Sequence, residues 1–272
     1  MTSRILFRAE KLLELSAGMG PVLGIDTASA TASIAIVAHG RVIAELTRSA
    51  SSHGAELPNA VAQAIKQAGT PLKDLSGIAV GIGPGSFTGL RVGIAYAKGL
   101  VLALGCALIG IPSLDCVALA ALERLPITEE TLLATIFDAR KGEVYANLYR
   151  ARPDRLDKIS QPLVIRLQNL FTQVSHSVIL VGDSKAKEAS LLLSERGIRS
   201  IFVNEVELNS RGRYVAALGA EGISGGEIGA PATLEPLYVR TAEATFKPAA
   251  APPVAVAKER PWTDETKSSS SN

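Results

Sequence analysis

Apolar positions along this chain fall into short β-rich runs separated by stretches with helical spacing. Residues 22–25 and 31–37 are such runs, His39-Gly40 makes a turn, and residues 41–46 answer as a third strand. Residues 56–68 predict a helix, with Pro58 in the first turn, where a missing N–H costs little. A buried strand over 77–81, a glycine-rich turn, a long helix over 89–104, a strand over 106–111 and a helix opened by Ser113 follow. The order then restarts. Residues 134–137 and 143–149 predict another strand pair, followed by a strand over 178–181, a helix over 185–196, a short strand over 201–203 and a helix over 212–220. This alternation predicts an α/β fold.

The restart carries a motif. Gly24-Ile25-Asp26-Thr27 leads into a strand, and Ile136-Phe137-Asp138-Ala139 does the same in the second half. In both, an apolar strand ends on an aspartate and a second strand begins about six residues later, which suggests a duplicated α/β unit. The ends differ from the body. Residues 1–20 predict an amphipathic helix (Ile5, Leu6, Leu12, Leu13, Leu15) stopped by Gly18 and Gly20, with Met19 as an alternative start that leaves out an add-on. Residues 247–272, rich in Pro, Ala and Ser, predict a disordered tail containing the single tryptophan, Trp262.

Composition narrows the classes. With 272 residues, 47% of them hydrophobic, the chain has ample material for a core of one large domain or two lobes. Twenty-eight basic against 26 acidic side chains leave a net charge of +2, which argues against a dedicated nucleic-acid binder. Cys106 and Cys116 are too few for a disulfide framework or a cysteine zinc site. The longest uncharged stretch, 99–114, is broken by Gly105, Gly110 and Pro112 and falls short of the ~18–20 residues of a membrane span. A cytoplasmic protein without a membrane segment is the expectation.

Few residues offer chemistry. Asp26-Thr27 at a strand end could meet a phosphate or a Mg²⁺-bound water, or could only bond the turn backbone. The stretch from Gly81 to Gly89 could hold an anion on N–H groups at a helix start, or could be a helix capped by Ser86. It is neither a P-loop nor a dinucleotide fingerprint, because no Gly-Lys-Ser/Thr follows and Pro84 removes a donor. His39, His53 and His176 make no metal-binding pair, and no Gly-x-Ser-x-Gly elbow exists. The 89–104 helix carries only Arg91 and Lys98 as charges, and Gly89, Gly93, Ala97, Val101 and Gly105 form a small-residue ridge. Such a helix is either central to its lobe or covered on one face by a second protein, with Leu57, Val61, Ile65 and Ala68 sharing that surface.

The residues also resemble a known family. Leu23-Gly24-Ile25-Asp26-Thr27-Ala28-Ser29, Gly83-Pro84-Gly85-Ser86-Phe87-Thr88-Gly89-Leu90-Arg91-Val92-Gly93 and Ala97-Lys98-Gly99-Leu100 look like signatures of the TsaB (YeaZ) family. Asp138-Ala139-Arg140-Lys141-Gly142-Glu143-Val144-Tyr145 and Pro236-Leu237-Tyr238-Val239-Arg240 follow in the right order. The resemblance implies a duplicated two-lobe actin/hexokinase/Hsp70-like fold, with lobes over 21–112 and 113–246, while the N-terminal extension 1–20 and the tail 247–272 depart from the family pattern. It implies a non-catalytic subunit that pairs with a TsaD-like catalytic subunit, alongside a TsaE-like ATPase, to form N6-threonylcarbamoyladenosine at position 37 of tRNAs reading ANN codons. tRNA is then reached only through the complex, and the chain forms a homodimer when alone. No catalytic residue, metal or cofactor of its own is expected, with ATP or ADP at the complex interface. Asp26, Thr27, Gly83, Gly85 and Ser86 become the nucleotide- or phosphate-proximal residues, and Leu57, Val61, Ile65, Gly89, Leu90, Gly93, Tyr96 and Ala97 the partner interface. Two alternatives stand beside this reading: an active nucleotide-dependent kinase or ATPase with a second phosphate loop at Val181-Gly182-Asp183-Ser184, and an M22-type glycoprotease.

Overall fold

A computed structural model describes residues 5–49, 53–172, 174, 176–208 and 211–239. Two sheets of matching topology form its frame. In the first, β2 (Val22–Asp26), β3 (Thr31–Ala38) and β4 (Arg41–Ser49) make an antiparallel meander, and β5 (Gly77–Gly83) and β6 (Ala107–Pro112) add in parallel beyond β2, giving the order β4-β3-β2-β5-β6. In the second, β7 (Thr131–Arg140), β8 (Glu143–Ala151) and β9 (Arg155–Lys158) form the meander, and β11 (Val178–Gly182) and β12 (Ser200–Asn204) add in parallel beyond β7. A short β10 (Leu163–Arg166) pairs with the start of β8. The repeated order is the duplicated two-lobe arrangement that the two strand-end aspartates announce.

Helices fill three layers. α2 (His53–Ala68) and α3 (Phe87–Leu104) cover the outer face of the first sheet, where Val61, Ala64, Ile94 and Ala97 meet Leu23, Ile25, Ile36 and Val80. α5 (Leu167–Leu170) and α6 (Ser184–Glu195) cover the outer face of the second, through Leu167, Ala186, Ala189 and Leu193. Between the sheets lie α1 (Ala9–Leu15), α4 (Ser113–Arg124) and α7 (Arg211–Ser224). Covering both faces is why β2 reads as a continuous buried run rather than an alternating one. Gly24 in that strand is required by contact: a Cβ there would stand 2.5 Å from the Ala216 nitrogen and the Gly212 oxygen of α7.

The N-terminal residues depart from the expected helix over 1–20. Ile5–Phe7 is a strand, β1, antiparallel to β9 (Leu6 opposite Leu156), and only Ala9–Leu15 is helical. β9 offers an unpaired edge, and three residues of backbone pairing there outweigh the helical spacing of Leu6 with its neighbours. The segment is therefore built into the fold rather than an extension, β1 as an edge strand of the second sheet and α1 packed on α7 between the sheets. The lobe boundaries differ too, because α7 packs on β2, β3, β5 and β6, and residues 229–237 return to the first sheet through Gly229 N–H to Leu108 O and Leu237 N–H to Ile82 O. The tail 247–272 lies outside the described residues.

A buried polar network ties α4 to the second sheet. Lys158 Nζ lies 2.9 Å from both carboxylate oxygens of Asp115, and the Tyr149 hydroxyl donates to Asp115 Oδ1 at 2.6 Å. Asn147 Nδ2 reaches the Tyr149 oxygen at 2.8 Å, and Ser160 Oγ donates to Asn147 Oδ1 at 2.7 Å. Burial, with the Asp115 charge beside it, pushes the Tyr149 phenol well above its ordinary range, so it acts as a permanent donor. Tyr149→Phe removes that donor from a buried carboxylate and will destabilise the protein by about 1–3 kcal/mol in urea unfolding, with the m-value unchanged.

Candidate functional site

Asp26 ends β2 with its carboxylate fully buried. Its Oδ1 accepts from Ala28 N–H at 3.0 Å and lies 3.4 Å from Arg211 Nε, while Oδ2 has no hydrogen-bond partner. Thr27 turns the other way. Its hydroxyl donates to Gly89 O at 2.7 Å in the first turn of α3, so the β2–β3 turn is bonded to the helix start. Gly89 and Gly93 make this approach feasible, since a Cβ on either would collide with Thr27.

The glycine-rich stretch is engaged internally. Gly83 N–H donates to Ser113 Oγ at 3.2 Å and Ser86 N–H to Ala28 O at 2.7 Å. Ser86 Oγ in turn accepts from Gly89 N–H at 3.3 Å, the N-cap of α3. Gly85 stands against the Ala28 carbonyl with no room for a side chain. Three N–H groups of the stretch thus have partners within the fold, and Ser86 caps the helix. In the second lobe, the equivalent turn is closed by Asp183, whose Oδ2 accepts from Asp138 N–H at 2.9 Å and whose Oδ1 caps α6 through Lys185 N–H at 2.8 Å. Among the described residues, no group of three or more His, Cys, Asp or Glu side chains could hold a metal ion.

The expected interface residues need correction. Leu57, Val61, Gly89, Leu90, Gly93 and Ala97 are all buried within the first lobe, and Ile65 is half-buried. Those on α2 face β3, β4 and α3, and those on α3 face β5, β2 and the Thr27 turn, because the small-residue ridge of α3 is what lets that helix lie close to its own sheet. Of the expected residues on α3, Tyr96 alone borders solvent, half-buried. The free face of α3 runs instead through Arg91, Ala95, Gly99, Leu102 and Ala103 at spacings of three and four. Leu102 is 77% exposed, and a side chain at Gly99 would enter open space.

At the start of that face three side chains stack. The Arg91 guanidinium lies 3.8 Å above the Phe87 ring, and Arg91 Nη2 donates to the Tyr238 hydroxyl at 3.4 Å. The Phe87 and Tyr238 rings are 6.1 Å apart, and each is more than half exposed. By length and composition α3 is also long and apolar enough to cross a membrane, unlike the broken stretch 99–114, but Leu90, Gly93, Ile94, Ala97 and Val101 are committed to the sheet.

Comparison with known proteins now decides between the readings. The tRNA threonylcarbamoyladenosine biosynthesis protein TsaB of Bacillus subtilis is 30% identical over 230 residues, which span 83% of this chain and 96% of that protein. This chain belongs to the TsaB (YeaZ) family. The protein of the same name from Escherichia coli is 39% identical over 124 residues, 46% of this chain and 52% of its own. The family model of TsaD, tRNA N6-adenosine threonylcarbamoyltransferase, matches residues 39–199. The solved structure of YeaZ from Pseudomonas aeruginosa superposes with a TM-score of 0.66 over 81% of this chain and all of that one, at 21% identity, which shows the shared fold.

Sequence reasoning missed two features of this TsaB-family chain. Arg211, which reaches Asp26, opens α7 beside Arg213, and a pair of arginines around a glycine reads as a solvated helix start. The exposed α3 face was missed because both sides of that helix are apolar, so periodicity marks the stripes without saying which one meets the sheet.

Proposed function

We propose that this chain is the non-catalytic partner subunit of a TsaD-like enzyme that forms N6-threonylcarbamoyladenosine in tRNA. The observation that carries the reading is the apolar, small-residue outer face of α3 on a chain similar to TsaB over nearly its whole length. A helix face with Ala95, Gly99 and Ala103 admits a partner helix closely, and Leu102 supplies the apolar anchor. Phe87, Arg91 and Tyr238 extend the face with residue types that dominate interface energetics. Alone, the same face would pair two copies of the chain. A TsaE-like ATPase and tRNA are engaged through the assembled complex in the cytoplasm. Nucleotide belongs to the complex interface rather than to this chain. The kinase or ATPase alternative is disfavoured by the internal bonding of the glycine-rich stretch, and the glycoprotease by the histidine set.

Reconstitution tests the proposal. The purified chain alone will leave tRNA unmodified, whereas adding the TsaD-like and TsaE-like proteins of the same organism, with a threonylcarbamoyl donor, will give modified tRNA by mass spectrometry. Modification by the chain alone, or undiminished modification without it, refutes the assignment. Leu102→Asp will weaken binding to the TsaD-like protein by about thirtyfold or more, the effect of a hot-spot loss near 2 kcal/mol, with the melting curve unchanged. Unchanged affinity would move the interface elsewhere.

A further inference from the structure

The two-lobe fold implies a nucleotide with its cation in the cleft between the strand-end turns, and the residues here do not fit that group. The Asp26 carboxylate is 0% exposed, and Arg211, itself 7% exposed, stands against it. The remaining space beside it, lined by Ser29, Thr31, Ser33, Thr47, Glu205 and Arg211, is about 70 Å³. Ligand pockets usually run to ~300 Å³ or more, so this one suits a few waters at most.

Arg211 is wired to both lobes. Nη2 donates to Ser29 Oγ, to Thr31 O at 3.1 Å and to Thr31 Oγ1 at 3.3 Å, all in the β2–β3 turn of the first lobe. Nη1 donates to Glu205 Oε2 at 2.7 Å, in the turn that leaves β12 of the second sheet. Nε faces Asp26 Oδ1 at 3.4 Å. Glu205 feels burial first, which raises its carboxyl pKa, with Asp183 and Asp26 adding to the rise and Arg211 opposing it. Two carboxylates, Asp26 from the first lobe and Glu205 from the turn after β12, thus converge on one guanidinium. A planar fork that serves Asp26 and Glu205 together is what a point charge on a flexible stem does not provide.

We propose that Arg211 is a resident counter-ion that clamps the two lobes together at Asp26. It does there what a bound cation does in a ligand-closed cleft. The cleft is therefore shut without nucleotide, and the chain presents the α3 face on a frame that nucleotide does not move. Any nucleotide dependence of the assembled system must then arise from other subunits or from their interface.

Four variants and one ligand test this. Arg211→Met leaves buried carboxylates unneutralised and will lower Tm by about 10 °C. Arg211→Lys will recover only a minor part of that loss. Asp26→Asn alone will cost less, because Arg211 keeps Glu205, and Arg211→Met/Asp26→Asn will regain at least half of the loss of Arg211→Met. By hydrogen exchange, Arg211→Met will lose protection in 22–33 and 200–208 together, although these lie on different sheets. Mg²⁺–ADP at about 100 times a micromolar Kd will leave the parent's Tm unchanged, where a binder would gain about 2.7 kcal/mol, a hundredfold shift in the folding equilibrium. Losses that simply add in the double variant, exchange confined to one lobe, or an ADP-induced rise in the parent's Tm that Asp26→Asn abolishes would each overturn the proposal. If Arg211→Met does not fold, recovery of a folded double variant decides the question.

Discussion

A chain that starts at Met19 will fail to fold or will melt at least about 15 °C below the full-length protein. The expectation follows from three features that the shortened chain lacks. Leu6 and Leu12 are each 1% exposed and sit in the central cluster with Leu156, Leu119 and Val215. Truncating one such side chain to alanine costs ~2–5 kcal/mol, and deleting both approaches the ~5–15 kcal/mol stability of a whole domain. β1 covers the edge of β9, and removing it exposes that strand's unpaired N–H and C=O groups to other chains. Ala9 N–H also donates to Glu123 Oε1 at 2.7 Å, which holds the start of α1 to the end of α4. Leu12→Ala provides the graded version and will cost about 2–5 kcal/mol in chemical denaturation. A shortened protein that melts within a few degrees of the parent would show that α1 and β1 add little.

Gly93→Leu will destabilise the monomer rather than the complex. A Cβ at this position would collide with Thr27 Oγ1, whose hydroxyl holds the first turn of α3 through Gly89 O. Either α3 shifts away from β2 or the Thr27 bond breaks. Overpacking alone costs ~1–3 kcal/mol, and the orphaned buried hydroxyl or carbonyl adds ~1–3 kcal/mol more. The expected total is about 2–6 kcal/mol, read as a shift in the urea midpoint at constant m-value. Gly99→Leu is the matched control on the same helix. Its side chain enters open space, so folding will be preserved and partner binding lost. The reverse result, a stable Gly93→Leu protein that no longer binds, would restore the small-residue ridge as the interface.

The contrast between these two glycines separates what could be read in the chain from what could not. Strands β2 to β6 and the helices between them were legible because their local signals agree: apolar runs of strand length, a His39-Gly40 turn, and Ser86 placed to cap α3. The two strand-end aspartates made the duplication legible as well, and the sheets repeat one order of strands around them. β9 was not legible, because Arg155, Asp157 and Lys158 leave Leu156 as its single buried apolar position. β1 looked helical because a three-residue strand is too short to show a period of two against neighbouring leucines.

By itself the sequence determined the α/β class, the two halves, the family and the lack of a metal-binding histidine pair, since each rests on local pattern or on residue identity. Tertiary structure alone decided which stripe of α3 meets the sheet, that residues 5–7 add an edge strand to the second sheet while α1 packs between the sheets, and that Arg211 reaches an aspartate 185 positions earlier in the chain. The physical reason is common to all three. An apolar stripe, an edge strand and a charged side chain each state a need for burial, pairing or neutralisation, and only the packed chain assigns the partner that meets it.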